Sequence, residues 1–455
     1  MSKEKQALKL GNDSIGKLLF NLSVPTITAQ IVSVLYNVVD RMYIGHIPNI
    51  GHLALTGVGI TFPIILLIGA FSLMIGVGGA PRAAIKMGEN NYTHAEQIMG
   101  NSAAMLIIFS VVITAVFRIW GNELLLLFGA SDSVLPYALS YLNIYIIGTL
   151  FYMLTMGLNP FITTQGFAAK SMLTVTIGAV INIILDPIFI FVLDMGVEGA
   201  AWATILSQIV SAIWVISFLT GNKTVLKLKK EFFIPKSYII LPTLALGMSP
   251  FAMQSTESLL NICFNTSLMK YGGETAVGAM TILASITQMM ILPLTGLTQG
   301  AQPIIGFNYG AKNKGRVTKI LRLLVRTSVI YTFVFTFLVM IIPELFINMF
   351  SSDIKLTQTA IWAVRIYLAG GFFMGVQVAC QQSFLALGQA KISLFLALLR
   401  KMILLIPFIY IFPYFFENKL FAVFLAESVA DIIAITATFI AFKWKITKLI
   451  KDMPS

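Results

Sequence analysis

Charge is scarce in this chain. Only 11% of its 455 residues are Asp, Glu, Lys or Arg, while 57% are hydrophobic and the mean hydropathy is +0.87. A soluble domain carries about 25% charged residues, so a water-soluble fold is excluded and the lipid bilayer is the expected solvent. Cysteine is nearly absent as well: Cys263 and Cys380 both lie inside apolar stretches, which leaves no disulfide framework and no thiolate metal cluster. The three histidines, His46, His52 and His94, fall at the ends of apolar stretches or in loops and do not suit a metal cage. No phosphate loop of the GxxxxGKS or GxxxxGKT form occurs, so the chain does not use ATP by itself in the usual way. GxSxG and HExxH are missing too, which removes the common hydrolase and zinc-protease signatures. No cleavable signal peptide is expected, because the start is polar and the first apolar run is long enough to span.

What the sequence has is long hydrophobic runs. A spanning helix needs about 20 apolar residues, and twelve segments qualify. Six lie at roughly 15–40, 53–79, 96–119, 134–157, 168–193 and 197–220; six more follow at 238–266, 275–300, 319–342, 357–384, 392–415 and 419–442. The formal charge of +12 is mostly a topology signal. With both termini and every even-to-odd connection on one side, 23 Lys/Arg fall there and six on the other, with Arg400 and Lys401 inside span eleven. The positive-inside rule then puts both termini in the cytoplasm, and no nucleic-acid partner is expected.

The halves repeat. A shift of 222 residues lays Pro81 on Pro303, Gly88 on Gly310, Tyr145 on Tyr367, Gly148 on Gly370, Gly166 on Gly388 and Ala168 on Ala390. Each half holds an even number of spans, so both enter and leave on the same face, and the repeat is parallel about the membrane normal. The expected fold is all-α and integral to the membrane, with twelve transmembrane helices in two pseudo-symmetric six-helix bundles. Residues 1–220 form the N-lobe, 221–237 a basic linker and 238–455 the C-lobe. A cleft between the lobes is the expected place for a substrate.

Five acids lie well within spans: Asp40, Asp186, Glu257, Glu427 and Asp431. An ionised side chain at bilayer depth costs about 2.5–3.5 kcal/mol on insertion scales, so each is a functional candidate. Tyr36, Asn37 and Asp40 share one face of span one, and Asn182 and Asp186 one face of span five. Pro187 removes a backbone donor and frees the Ile183 carbonyl beside that face. Amide, carboxylate and carbonyl together offer oxygen ligands. Thr204 begins a polar stripe on span six, and Tyr141 and Asn159 bracket span four. Two carboxylates brought together in low dielectric hold a proton or a small cation, and Pro25 supplies a hinge on the helix that carries Asp40. The plain alternatives are an interfacial Asp40–Arg41 pair and an Asp186 that only serves the kinked backbone.

The second half is polar differently. Gln254, Glu257, Ser258, Asn261 and Asn265 form one stripe on span seven, either a wet cavity wall or interhelical hydrogen bonding. Glu427 and Asp431, four apart on span twelve, are read as a lobe-internal polar network in preference to a second cation site. Met153, Met156, Met289 and Met290 suit an adaptable substrate surface or ordinary packing, and Gln377 could point into the cleft.

With these residues in view, the chain resembles the multidrug and toxic compound extrusion (MATE) transporters, in particular the bacterial branch related to the staphylococcal multidrug exporter. The likeness rests on VPTITAQIVSVLYNVVDRMYIG in span one, GVGGAPRAAIKMGENN after span two, NIILDPIFIF in span five, GAAWATILSQ in span six and LTQGAQPIIGFNYGAKN after span eight. It implies a two-lobe exporter of amphipathic, often cationic compounds that needs no cofactor and exchanges them for H+ or Na+. The matching cation site would be Asp40, Asn182, Asp186 and Thr204, with Tyr141 and Asn159 in its network, and the bending proline matches Pro25. Glu257 corresponds to the span-seven acid of another branch, but the span-ten Asp expected there is missing, which speaks against a second cation site.

The resulting expectation is a cation-coupled antiporter in a bacterial plasma membrane, working as a monomer, with Na+ at Asp40 and Asp186 as the one metal ion foreseen. Its substrate cleft is expected to draw on Tyr36, Asn37, Gln254, Glu257, Asn261, the four methionines and Gln377, with Pro25 and Pro187 as hinges. A flippase for a lipid-linked precursor is the alternative, favoured if Arg400 and Lys401 line the central cavity. An intramembrane enzyme and a passive channel are more distant readings.

Overall fold

The structure, a computed structural model, describes residues 9–350 and 353–453, apart from the side chain of Ser258. All regular elements among the described residues are helical. The first half folds into α1 (Ile15–Gly45), α2 (Gly51–Gly88), α3 (Tyr92–Leu127), α4 (Leu135–Thr164), α5 (Ala168–Val192) and α6 (Gly196–Thr220). The second begins with an unbroken stretch, Ser237–Gly310, too long for one crossing. Gly273, at φ 65° and ψ −161°, divides it into α7 (237–272) and α8 (274–310); only a residue without Cβ takes that conformation readily. Then come α9 (Lys314–Ile341), α10 (354–386, bent by 42° between Tyr367 and Ala369), α11 (Ala390–Tyr414) and α12 (Lys419–Lys451). The twelve crossings form two six-helix bundles.

The repeat read from sequence is present in the backbone. Asn91 and Asn313, 222 apart, cap α3 and α9 by accepting the amides of His94 and Arg316, each at 3.1 Å. Tyr145 and Tyr367 each precede a 3-10 turn, and Gly166 and Gly388 both turn at positive φ before α5 and α11. The sharpest mark is where α2 crosses α8. A Cβ on Gly88 would lie 2.0 Å from the Phe307 carbonyl oxygen, and one on Gly310 would lie 1.9 Å from that of Ile85. Residues 85 and 307 are themselves 222 apart, so the crossing is two-fold related and tolerates no side chain on either glycine.

The bundles join at the face that carries the termini. Thr26 donates to the Gly296 carbonyl at 2.6 Å and Ser23 to that of Leu297 at 3.1 Å, tying the start of α1 to the end of α8. Arg82 of α2 donates to the Ile239 carbonyl of α7 at 2.7 Å. Asn308 and Arg316 reach back to the carbonyls of Leu10 and Asp13, before α1. One apolar core runs through the first bundle and across this face; a second, around Phe264, Tyr367 and Phe424, fills the far half of the second bundle.

The basic segment between the bundles is strapped to the first one. The Gln165 side-chain oxygen, fully buried, accepts from the Thr224 hydroxyl at 2.7 Å and from the amides of Val225 at 2.7 Å and Leu226 at 2.8 Å. Glu96 accepts the Lys227 amide and pairs with Lys229 at 2.7 Å, which raises the Lys229 ammonium above its ordinary pKa. Asn101 takes the Lys236 amide and donates to the Phe232 carbonyl. Read from composition, this segment is only a charged break; folded, its backbone polar groups are satisfied from α3 and α4.

Candidate functional site

On the face away from the termini, α1, α5 and α6 converge. Asp40 lies near the end of α1, and α5 presents Asn182 and Asp186 one turn apart. Asn182 bridges the group: its amide donates to Asp186 at 3.1 Å and reaches the Thr204 hydroxyl at 3.4 Å. The carboxyls of Asp40 and Asp186 are close enough to act directly on each other. Asp186 and Asn182 are almost fully buried, and Asp40 is 9% exposed. Three oxygens here, one each from Asp40, Asp186 and Asn182, have no hydrogen-bond partner. Arg41, the nearest base in sequence, lies over the Phe62 ring at 5.0 Å and outside ion-pair distance of Asp40.

After Pro187 the helix widens into a π turn, Ile188–Val192, so the backbone irregularity adjoins the carboxyls. A cavity of about 420 Å³ opens onto the cluster, lined among others by Tyr36, Asn37, Asp40, Phe62, Tyr141 and Thr204. Tyr141 stacks on Tyr145 at 5.9 Å, giving the cavity an aromatic wall. Chemically the site is a set of inward-facing oxygens without an ion-paired base, Arg41 lining the cavity beside Asp40 but beyond ion-pair distance. A proton or a hard monovalent cation answers that lack.

Other expected residues are placed elsewhere. Asn159 donates to the Ser171 carbonyl at 3.3 Å, and Ser171 precedes Asp186 by fifteen residues, about 22 Å of helix. Asn159 is therefore remote from the carboxyl pair in this conformation, contrary to the network expected. Met153 and Met290 are completely buried, and Met290 takes a contact from the Thr336 hydroxyl at 3.7 Å. The expectation that these two line a cleft is thereby corrected: their faces of α4 and α8 turn into the packing. Met156 is half-buried and Met289 partly exposed. Gln377 is buried with its carbonyl oxygen unpartnered. Gln254 is half-buried, Asn261 exposed, and Asn37 folds back onto the Ser33 carbonyl at 2.6 Å. Through Pro25 the α1 helix is continuous.

The second bundle holds a cluster of another kind. Arg400 donates to Asp431 at 2.6 Å and to Glu427 at 2.8 Å. Lys401, 7% exposed, bonds Glu257 and also donates to the Met253 carbonyl at 2.8 Å. Both bases sit in a π turn, Leu399–Leu405, one directed to α12 and the other to α7. Sliding α7 onto α1 by 217 residues lays Pro242–Thr243 on Pro25–Thr26 and Glu257 on Asp40. The second bundle thus repeats the acid and adds the base. Sequence reading located these acids without their partners, although two adjacent bases inside a span were the signal.

The MatE family model matches residues 25–188 and 250–443, most of both halves. The multidrug export protein MepA of Staphylococcus haemolyticus is 23% identical over 434 residues, covering 95% of each chain. Among solved structures, a MATE protein in its bent conformation superposes with a TM-score of 0.92 at 24% identity, over 99% of both chains. The outward-facing structure of a multidrug resistance MATE transporter of the MOP superfamily gives 0.89 at 23% identity, over 97% of this chain and 98% of that one.

Proposed function

The chain belongs to the MatE family of secondary transporters, and we propose that it exports amphipathic, often cationic compounds in exchange for H+ or Na+. The reading rests on one observation: two largely buried carboxyls close to each other, bordering a cavity and without an ion-paired base. Two bare carboxylates about 4 Å apart at an effective dielectric of 20 repel by about 4 kcal/mol. An exchangeable cation between Asp40 and Asp186 removes that repulsion, and its loss pushes α1 from α5. The first half of α1 is held to α8 through Ser23, Thr26 and Gln30, so movement is confined to the part beyond Gln30, where Tyr36 and Asp40 border the cavity. A cation arriving from the outer side then favours release of the exported compound and return of the empty carrier.

In this reading residues 1–220 and 238–455 rock as lobes about the glycine crossing of α2 and α8, the protein works as a monomer in the bacterial plasma membrane, and both termini are cytoplasmic. The flippase alternative is not favoured. It calls for free cationic side chains in the cleft, and both Arg400 and Lys401 are engaged with carboxylates.

The test is dye efflux from proteoliposomes under a pH gradient or a Na+ gradient, each imposed alone. One of them should drive export in the native chain. Asp40→Asn and Asp186→Asn should each remove the driven component; if neither changes it, the reading fails.

A further inference from the structure

On the outer flank of the second bundle, α9 and α12 leave an apolar groove of about 380 Å³, floored by Leu321, Val325, Phe442 and Ile446. The aliphatic stems of Arg322 and Arg326 stand on its wall, with the guanidiniums at its rim. Both are exposed, and no ion pair or hydrogen bond engages either among the described residues. They continue a stripe that runs on through Ile330, Phe333, Phe337 and Ile341, all exposed and all apolar. That stripe is the surface a bilayer covers, so the two guanidiniums face lipid and not the cleft. Trp444, 67% exposed on the opposite face of α12 at the height of Phe442 and Ile446, marks the headgroup level, where tryptophan concentrates.

We infer that this groove binds one anionic phospholipid from the leaflet on the terminal face. Its phosphate is held by Arg322 and Arg326, and an acyl chain lies along Val325 and Phe442. The two guanidiniums are one helical turn apart, near enough to share one phosphate. The groove lining contains no acid that would compete. Phosphate provides the countercharge that the protein withholds here, in contrast to Arg400, and basic grooves between helices at this depth select anionic headgroups.

Native mass spectrometry of the full chain, purified in detergent and offered phosphatidylglycerol and phosphatidylcholine with matched chains, decides the matter. The native chain should retain phosphatidylglycerol preferentially, and Arg322→Gln with Arg326→Gln should lower its retention about tenfold. Val325→Trp, which fills the floor and leaves both arginines in place, should also lower it. Melting curves in detergent without added lipid identify any variant that has lost its fold, and Val325→Trp is the second route if the arginine pair fails that check. Equal retention of the two lipids, or undiminished phosphatidylglycerol on a folded variant of either design, overturns the inference and leaves arginines that merely reach for the headgroup region.

Discussion

The two bundles solve one problem in opposite ways. Each buries acids on the helices that follow its repeat, and a buried carboxylate demands a countercharge. In the second bundle the chain provides it: Arg400 spans the buried Glu427 and Asp431, and a buried Lys401 meets the half-exposed Glu257. In the first, Asp40 and Asp186 face each other with an amide and a hydroxyl but no ion-paired base. A tethered cation cannot leave, so it fixes structure. In the function proposed above, an untethered one comes and goes with the gradient, which makes the first bundle the one suited to coupling. The lesson is that pseudo-symmetry of fold does not entail symmetry of work.

That contrast is broken most sharply at the first cluster. Asp40→Asn or Asp186→Asn should abolish gradient-driven dye efflux in proteoliposomes while the melting temperature in detergent holds, because an amide facing the remaining carboxyl removes the like-charge repulsion without a cation. The second cluster should respond in stability. Arg400→Met leaves two buried acids uncompensated and should cost about 3–5 kcal/mol, seen as a lowered denaturation midpoint. Adding Glu427→Gln and Asp431→Asn should recover most of it.

Gln165→Ala tests whether the linker is a strap. Removing one acceptor from three donors should cost about 1–3 kcal/mol, seen as proteolytic nicking within 221–236 ahead of global unfolding, with cation dependence unaltered. The smallest effect is expected from Lys401→Gln, since the Glu257 side chain is 52% exposed and surface-type pairs contribute about 1 kcal/mol or less. Its value is in sharpening the comparison. In an Asp40→Asn, Asp186→Asn background the melting temperature should ignore Na+ and pH near neutrality, and adding Lys401→Gln should restore a cation response through Glu257. A background that already responds would mean the second bundle exchanges cations despite its lysine.

Much of this was legible before folding. The spacing Asn182–Asp186 is a one-turn relation, so the two had to meet, and the position of Pro187 announced the backbone irregularity that became the Ile188–Val192 π turn. Pairs 222 apart, such as Gly88 and Gly310, were visible as identities. That each packs against the other's helix at under the distance any Cβ permits was not. Asn159 shows the limit from the other side: polar, in the right span, and matched by resemblance, yet bonded to Ser171 several turns from the carboxyls. Met153 and Met290 carry nothing in their spacing to say which face of a bundle turns inward.

What the sequence determined by itself was the solvent, the number of crossings, the repeat and four of the buried acids, Asp40, Asp186, Glu427 and Asp431, because hydropathy, helical period and internal identity are local properties of a chain; it counted the exposed Glu257 among them and passed over the buried Glu96. What only the tertiary structure decided was the partner of each acid. Asp40 reaches Asp186 across 146 positions and Arg400 reaches Asp431 across 31, and no local rule says which charges three-dimensional packing will bring together. Charge was scarce in this chain from the outset; whether a given charge is tethered to its opposite or left waiting for one is settled by the fold.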